Sequence, residues 1–203
     1  MAIRHALREI ERKFAFNVRL LPVVLCNGGT PPFRELTPPK FTSIHDMYFD
    51  NTSRVLSKNP AGAIWLRKRQ SQWQAKVTQS GDKDFKRVTY TEIRDLDQIK
   101  SLVAKFVPGC PGPEEDFGLH TYCDYVTYRT EFGADGRFTV ALDVTDFGHD
   151  VGEVEVLAAP EEQSDKVLQE IEGFMDKYQW LFKSGQGEPK GKMSAYFEKF
   201  GGW

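Results

Sequence analysis

Apolar and polar residues alternate with a period of two along several short stretches of this chain, the pattern of strands that bury one face. Residues 9–16 form the first stretch, with Glu9, Glu11 and Lys13 on one face and Ile10 and Arg12 on the other. A turn is expected at Asn17, and residues 18–25 read as a short helix that Pro22 weakens. Gly28-Gly29 with Pro31-Pro32, and then Pro38-Pro39, mark loops. Strands are predicted over 41–49, then over 63–70 and 73–79 as a hairpin around Ser71-Gln72, and over 83–90 after the turn Ser80-Gly81-Asp82. Thr91 or Asp95 caps a helix that runs to about residue 105, with Ile99, Leu102, Val103 and Phe106 on its apolar side. Residues 108–113 are a turn-rich connector, followed by strands over 119–132, 137–143 and 152–157. The period then changes to helical: 161–178 turns Val167, Leu168, Ile171, Phe174 and Met175 to one side, and 192–200 is a short final helix.

About eight strands in hairpin-like succession, with helices between and after them, predict an α+β fold. The expected form is an eight-stranded antiparallel β-barrel with flanking helices. The 203 residues suit one domain over 1–203, and no repeat or low-complexity tract divides them. Hydrophobic residues at 40% and charged residues at 28% are an ordinary balance for a water-soluble chain. A net charge of −2 argues against a broad basic surface for nucleic acid, so any anion site must be a local cluster. No apolar run reaches the roughly 20 residues that span a bilayer, and no apolar leader core opens the chain. Cys26, Cys110 and Cys123 are odd in number and lack zinc spacing, which fits free thiols in a reducing cytoplasm. A cytoplasmic monomer without nucleic-acid or membrane partners is the expectation.

The polar faces of the strands carry the chemistry. Trp65, Arg67 and Arg69 share one face; the hairpin partner sets Gln74, Lys76 and Thr78 against Trp73, Ala75 and Val77. Later strands set Thr127, Arg129 and Glu131 against Val126 and Tyr128, and place Asp143 in phase with Thr139 and Ala141. Such faces can simply meet solvent, as antiparallel sheets often do. The charges here, however, arrive as like-signed pairs: Glu9 with Glu11, Arg67 with Arg69, Glu153 with Glu155. Like charges at neighbouring positions repel unless something opposite lies between them. A divalent cation relieves the carboxylates, and a phosphate chain relieves the arginines. The apolar faces would pack on the helices, leaving the polar faces to converge inside the barrel. A mixed set of that kind suits metal-assisted phosphoryl transfer.

These residues resemble a known family. Glu9-x-Glu11-x-Lys13, the strand Leu66-Arg67-Lys68-Arg69, the Lys76 strand and Glu153-x-Glu155 are similar to the CYTH family of triphosphate tunnel enzymes. Tyr48-Phe49-Asp50, the strand from Trp65 to Arg69, the run from Asp143 to Glu155, and Lys192 ahead of Tyr196-Phe197 draw the likeness toward its eukaryotic thiamine triphosphatase branch. The resemblance implies a tunnel-shaped barrel. It implies that Lys13, Arg67, Arg69, Arg129 and Lys192 bind a triphosphate. It further implies that Glu9, Glu11, Asp143, Glu153 and Glu155 hold Mg²⁺ directly or through water, and that Lys76 with Tyr48 stands near the reacting phosphate. Lys192 enters through the resemblance alone. Lys86-Arg87 departs from a Lys-Glu pair common in relatives, which removes a carboxylate there.

Trp65 is in phase with Arg67 and Arg69, so its indole can meet a cationic thiazolium and a flat pyrimidine at a gain of about 0.5–2 kcal/mol. It can equally cap an apolar end of the barrel. Tyr48 is as readily a core residue as a catalytic one, and Asp50 and Asp146 suit turns or caps. No histidine has ligand spacing. Hydrolysis of thiamine triphosphate to thiamine diphosphate and phosphate is the expected activity. Inorganic or nucleoside triphosphates, cyclase chemistry, and a non-catalytic polyphosphate module are the alternatives.

Overall fold

The structure, a computed structural model, describes residues 8–78, 87–159 and 162–201. The described residues form eight strands: β1 (Arg8–Phe14), β2 (Lys40–Asp50), β3 (Ile64–Arg69), β4 (Gln72–Thr78), β5 (Arg87–Ile93), β6 (His120–Ala134), β7 (Phe138–Thr145) and β8 (Asp150–Ala158). They are hydrogen-bonded in the order β1-β5-β4-β3-β2-β6-β7-β8, a closed barrel. The α-helices are α1 (Leu21–Leu25), α2 (Leu96–Phe106), α3 (Ser164–Lys177), α4 (Gln179–Phe182) and α5 (Lys192–Phe200). The α+β barrel expected from the alternation is therefore observed. Residues 83–86 of the predicted strand over 83–90 lie outside the described residues, 87–90 are strand as expected, and β5 continues to Ile93. Thr91 is thus a strand residue, and the cap of α2 is Asp95, whose carboxylate accepts from the Gln98 N–H at 2.9 Å. Pro22 is tolerated because it stands in the first turn of α1, where no intrahelical donor is lost.

By contacts the chain forms two compact units. One holds the chain up to Ser43 and from Tyr128 onward; the other holds the chain from Ile44 and the stretch Tyr90–Thr127. In the first, β1, β7 and β8 pair antiparallel, and their apolar faces (Ile10, Phe14, Val140, Leu142, Val154, Val156) join Val167, Ile171 and Phe174 of α3 in one core. Phe14 faces Gly152 across the β1–β8 ladder, and a Cβ built at Gly152 would stand 2.2 Å from the Phe14 ring. Only glycine admits the ring there. In the second unit, Phe49, Leu66 and Ala75 pack against Ile99 and Val103 of α2. The β3–β4 hairpin turns on Gln70-Ser71, one residue earlier than the sequence suggests, with φ of 49° and 64°. Positive φ at both turn residues matches the twist of a two-residue hairpin. As predicted for a loop organiser, the Asp50 carboxylate accepts from the N–H of Leu56 (3.2 Å) and of Ser57 (2.8 Å).

Candidate functional site

In the first unit, strand pleat alone turns Glu9, Glu11 and Lys13 to the face opposite the core. The β1–β8 register sets Glu11 directly across from Glu155 and Lys13 across from Glu153. Lys13 pairs with Glu11 and, at 3.0 Å, with Glu153. The Arg129 guanidinium grips Asp143 with both arms, Nε and Nη2 each at 2.7 Å, and Nη2 reaches Glu153 at 3.0 Å. Lys192 donates to Asp143 and stands 3.9 Å from Glu153. Three cations thus close on Glu11, Asp143 and Glu153, and Asp143 is fully buried. Burial alone would raise the Glu153 pKa, but Lys13, Lys192 and Arg129 hold it well below the usual carboxylate range. Burial would likewise lower the Arg129 pKa, yet Asp143, then Glu153 and Glu131, keep it raised. Both partners stay charged.

Lys192 is placed by a helix rather than a strand. It opens α5, where the helix dipole disfavours a cation, and Asp143 offsets that cost. His149 holds the preceding Lys190 carbonyl at 2.9 Å, and Tyr196 and Phe200 flank the Phe147 ring. No periodicity in residues 192–200 announces this contact.

In the second unit, Tyr48 lies across from Arg67 and Asp46 across from Arg69. Arg67 in turn faces Gln74, and Trp65 faces Lys76; Lys76 faces Glu92 on β5. Arg67 is 3% exposed. Its Nε and Nη2 donate to Gln74 Oε1 at 3.1 and 2.9 Å, Nη2 also reaches Glu92 at 3.1 Å, and Nη1 lies 3.5 Å from the Tyr48 hydroxyl. Arg69 makes a two-armed pair with the buried Asp46, both arms at 2.8 Å. Burial opposes the charge on Arg67, but Tyr48, Asp46 and Glu92 raise its pKa overall. Tyr48 is buried, and its hydroxyl is 3.4 Å from that of Tyr125. Trp65 is half-buried, in phase with Arg67 as the alternation requires.

Several of these residues were not legible as functional. Asp46, Gln74 and Glu92 orient the arginines, yet each reads as an ordinary polar strand residue until its cross-strand partner is known. β5 does carry a carboxylate, Glu92, which faces Lys76 and binds Arg67. Lys86 and the Arg87 side chain lie outside the described residues. Burial raises the Glu92 pKa, but the Arg94 hydrogen bond and the charges of Lys76, Arg67 and Arg94 outweigh it and lower the value.

The donor set of the first unit suits a hard divalent cation, since Glu9, Glu11 and Glu155 offer only carboxylate oxygens. Glu11 and Glu155, directly opposed, are the pair a shared cation would relieve. Among the described residues no group of three or more His, Cys, Asp or Glu is already gathered as a metal cage. Asp143 and Glu153, expected as ligands, accept from Arg129, Lys192 and Lys13. The described cysteines are all free, and no described helix is long and apolar enough to cross a membrane.

Comparison with known structures places the fold. A protein from Pyrococcus horikoshii OT3 is 18% identical at a TM-score of 0.55, covering 94% of this chain and 99% of its own. An adenylate cyclase candidate from Vibrio parahaemolyticus is 16% identical at 0.55, covering 93% and 97%. An adenylyl cyclase candidate from Hippeastrum, described as having a dominant triphosphatase activity, is 15% identical at 0.53, covering 94% and 96%. At such identities the likeness is one of fold. No curated protein sequence matches the chain. The CYTH domain model, however, matches residues 7–184, which include both carboxylate strands and both arginine strands. The chain belongs to the CYTH domain family, the triphosphate tunnel metalloenzymes.

Proposed function

We propose that this protein is a divalent-cation-dependent hydrolase that splits thiamine triphosphate into thiamine diphosphate and phosphate, with Mg²⁺ as the ion. The observation that carries the triphosphate is the gathering of Lys13, Arg129 and Lys192 on the carboxylates of Asp143 and Glu153. Cations held in this way are preorganised for phosphate oxygens, which can take the place of a carboxylate at each N–H. Arg67 is locked by Gln74 and Glu92, and Arg69 by Asp46, and both are assigned to phosphate as well. Glu9, Glu11 and Glu155 are the residues that would hold Mg²⁺, with Asp143 and Glu153 joining through water. The ion would supply charge neutralisation at the phosphoryl oxygens. Lys76 Nζ is assigned to the reacting phosphate, where it would offset charge on the leaving oxygen, and Tyr48 Oη to orienting the attacking water. Trp65, across from Lys76, carries the choice of thiamine through stacking and cation–π attraction.

A second reading keeps the site and changes the substrate to inorganic or nucleoside triphosphate; the triphosphatase activity described for the Hippeastrum protein favours this class over cyclisation. Phosphate release should be measured from thiamine triphosphate, inorganic triphosphate and ATP, with and without Mg²⁺, while cyclic AMP is followed from ATP. Thiamine triphosphate should show the highest kcat/KM, and Trp65→Ala should depress that value selectively. Equal loss on all substrates would reject the thiamine assignment, and no Mg²⁺-dependent release from any would reject the enzyme.

A further inference from the structure

Strand β7 constrains Lys192 twice. Asp143 on the strand accepts from the Lys192 ammonium, and the turn that follows the strand carries His149, which holds the carbonyl of Lys190. The contact runs through Nε2 at 2.9 Å. A carbonyl oxygen only accepts, so Nε2 carries the hydrogen.

The turn is braced in a way that aims the imidazole. Thr145 is 3% exposed, and its N–H and its hydroxyl both donate to the His149 carbonyl, each at 2.9 Å. The same hydroxyl accepts from the His149 N–H at 2.9 Å. Between them the Gly148 N–H returns to the Thr145 carbonyl at 3.0 Å, with a φ of 84° that suits glycine. The Phe147 ring lies nearly parallel to the imidazole, 9° between planes, and also meets Tyr196 and Phe200. Those aromatic contacts hold the body of α5. His149 instead fixes the chain just before its first turn.

That start lies against the cation group of the first unit. A Cβ built at Gly191 would stand 3.9 Å from Lys13 Cε. Lysine has a long, rotamer-rich side chain, so its ammonium is held at one point only where the backbone beneath it is also held.

We propose that His149 is a positioning residue: by fixing the Lys190 carbonyl it sets where Lys192 reaches Asp143, and so keeps the Lys192 ammonium in place for a phosphoryl oxygen of the triphosphate. The proposal rests on the triphosphatase reading above. His149 acts through Lys192 and exchanges no proton with the substrate.

His149→Ala and His149→Gln should be made in the wild type and in Lys192→Ala; glutamine keeps an N–H near the place of Nε2. Binding of inorganic triphosphate would be measured by calorimetry. Reductive methylation of the unliganded protein would be followed at each lysine by mass spectrometry, with Lys192, 11% exposed at its side chain, read against Lys183 at 61%. His149→Ala is expected to raise Lys192 methylation several-fold relative to Lys183 and to weaken triphosphate binding about tenfold. His149→Gln should bring both back to within about threefold of wild type. In Lys192→Ala, His149→Ala should weaken binding by less than about twofold further, because no ammonium is left to position. Unchanged Lys192 protection in His149→Ala would overturn the proposal. So would a binding loss of about tenfold that persists in Lys192→Ala, the mark of a general packing effect. Wild-type protein that binds no triphosphate would overturn the triphosphatase reading, while the methylation of Lys192 would still decide whether His149 places that lysine.

Discussion

Asp143→Asn isolates the ion pairs that organise the cations of the first unit. The carboxylate is fully buried and accepts both arms of Arg129 at 2.7 Å together with Lys192. Asparagine keeps the shape and one acceptor oxygen but removes the charge, leaving two cations to share Glu153. Removing one partner of a buried ion pair costs about 3–5 kcal/mol. Arg129 and Lys192 keep side-chain exposures of 14% and 11%, and Glu153 remains within 3.0 Å of Arg129. Those two facts place the cost at the lower end, about 3 kcal/mol. For a domain of this size each kcal/mol moves Tm by about 2–4 °C, so Tm should fall by about 6–12 °C. Circular dichroism melts at neutral pH would measure it. Because buried pairs are screened little, the difference should persist at high salt. Phosphate release should fall as well, since Arg129 and Lys192 lose their common anchor. A shift of less than about 2 °C, or one abolished by salt, would show that Asp143 is not carrying buried charge and would refute the reasoning.

Arg67→Lys removes the fork that binds Gln74 and Glu92, so at least one buried acceptor is stranded; a loss of about 2 kcal/mol in urea unfolding and about 100-fold in kcat/KM is expected. Near-wild-type turnover would show that point charge suffices. Glu153 has a folded pKa well below its unfolded value, so the stability it contributes is complete above the unfolded pKa and is lost as pH falls through the folded one. Melts between about pH 7 and about pH 3 should show wild-type Tm falling on the acid side, and a shallower acid limb for Glu153→Gln; parallel limbs would contradict the pairing. Gly152→Ala drives a methyl into the Phe14 ring at 2.2 Å, so a cost of about 1–3 kcal/mol in the urea midpoint is expected, relieved by adding Phe14→Leu. Failure of the second change to relieve the first would place the strain elsewhere.

Much of the barrel was legible because strand pleat is a local property. Once Ile10 and Phe14 are buried, Glu9, Glu11 and Lys13 must share the other face, whatever lies beyond them. The helical period likewise fixed the buried face of α3, with Val167, Ile171 and Phe174 inward. Elements without a period were missed: the four-residue α4, and the 3-10 turn at Pro113–Gly118, where Asp116 and Phe117 take positive φ. Turn and strand ends slipped by a few residues at Gln70-Ser71 and Thr91, because local preference there is weak and pairing decides. What the sequence by itself determined is which charges travel together along each strand. Which charge meets which was decided only by the tertiary structure. Glu11 faces Glu155, 144 positions further along the chain, Lys192 reaches Asp143 from a helix, and Asp46, Gln74 and Glu92 lock the arginines from neighbouring strands. Partners of that kind are set by cross-strand register and helix docking, and those depend on residues far apart in the chain.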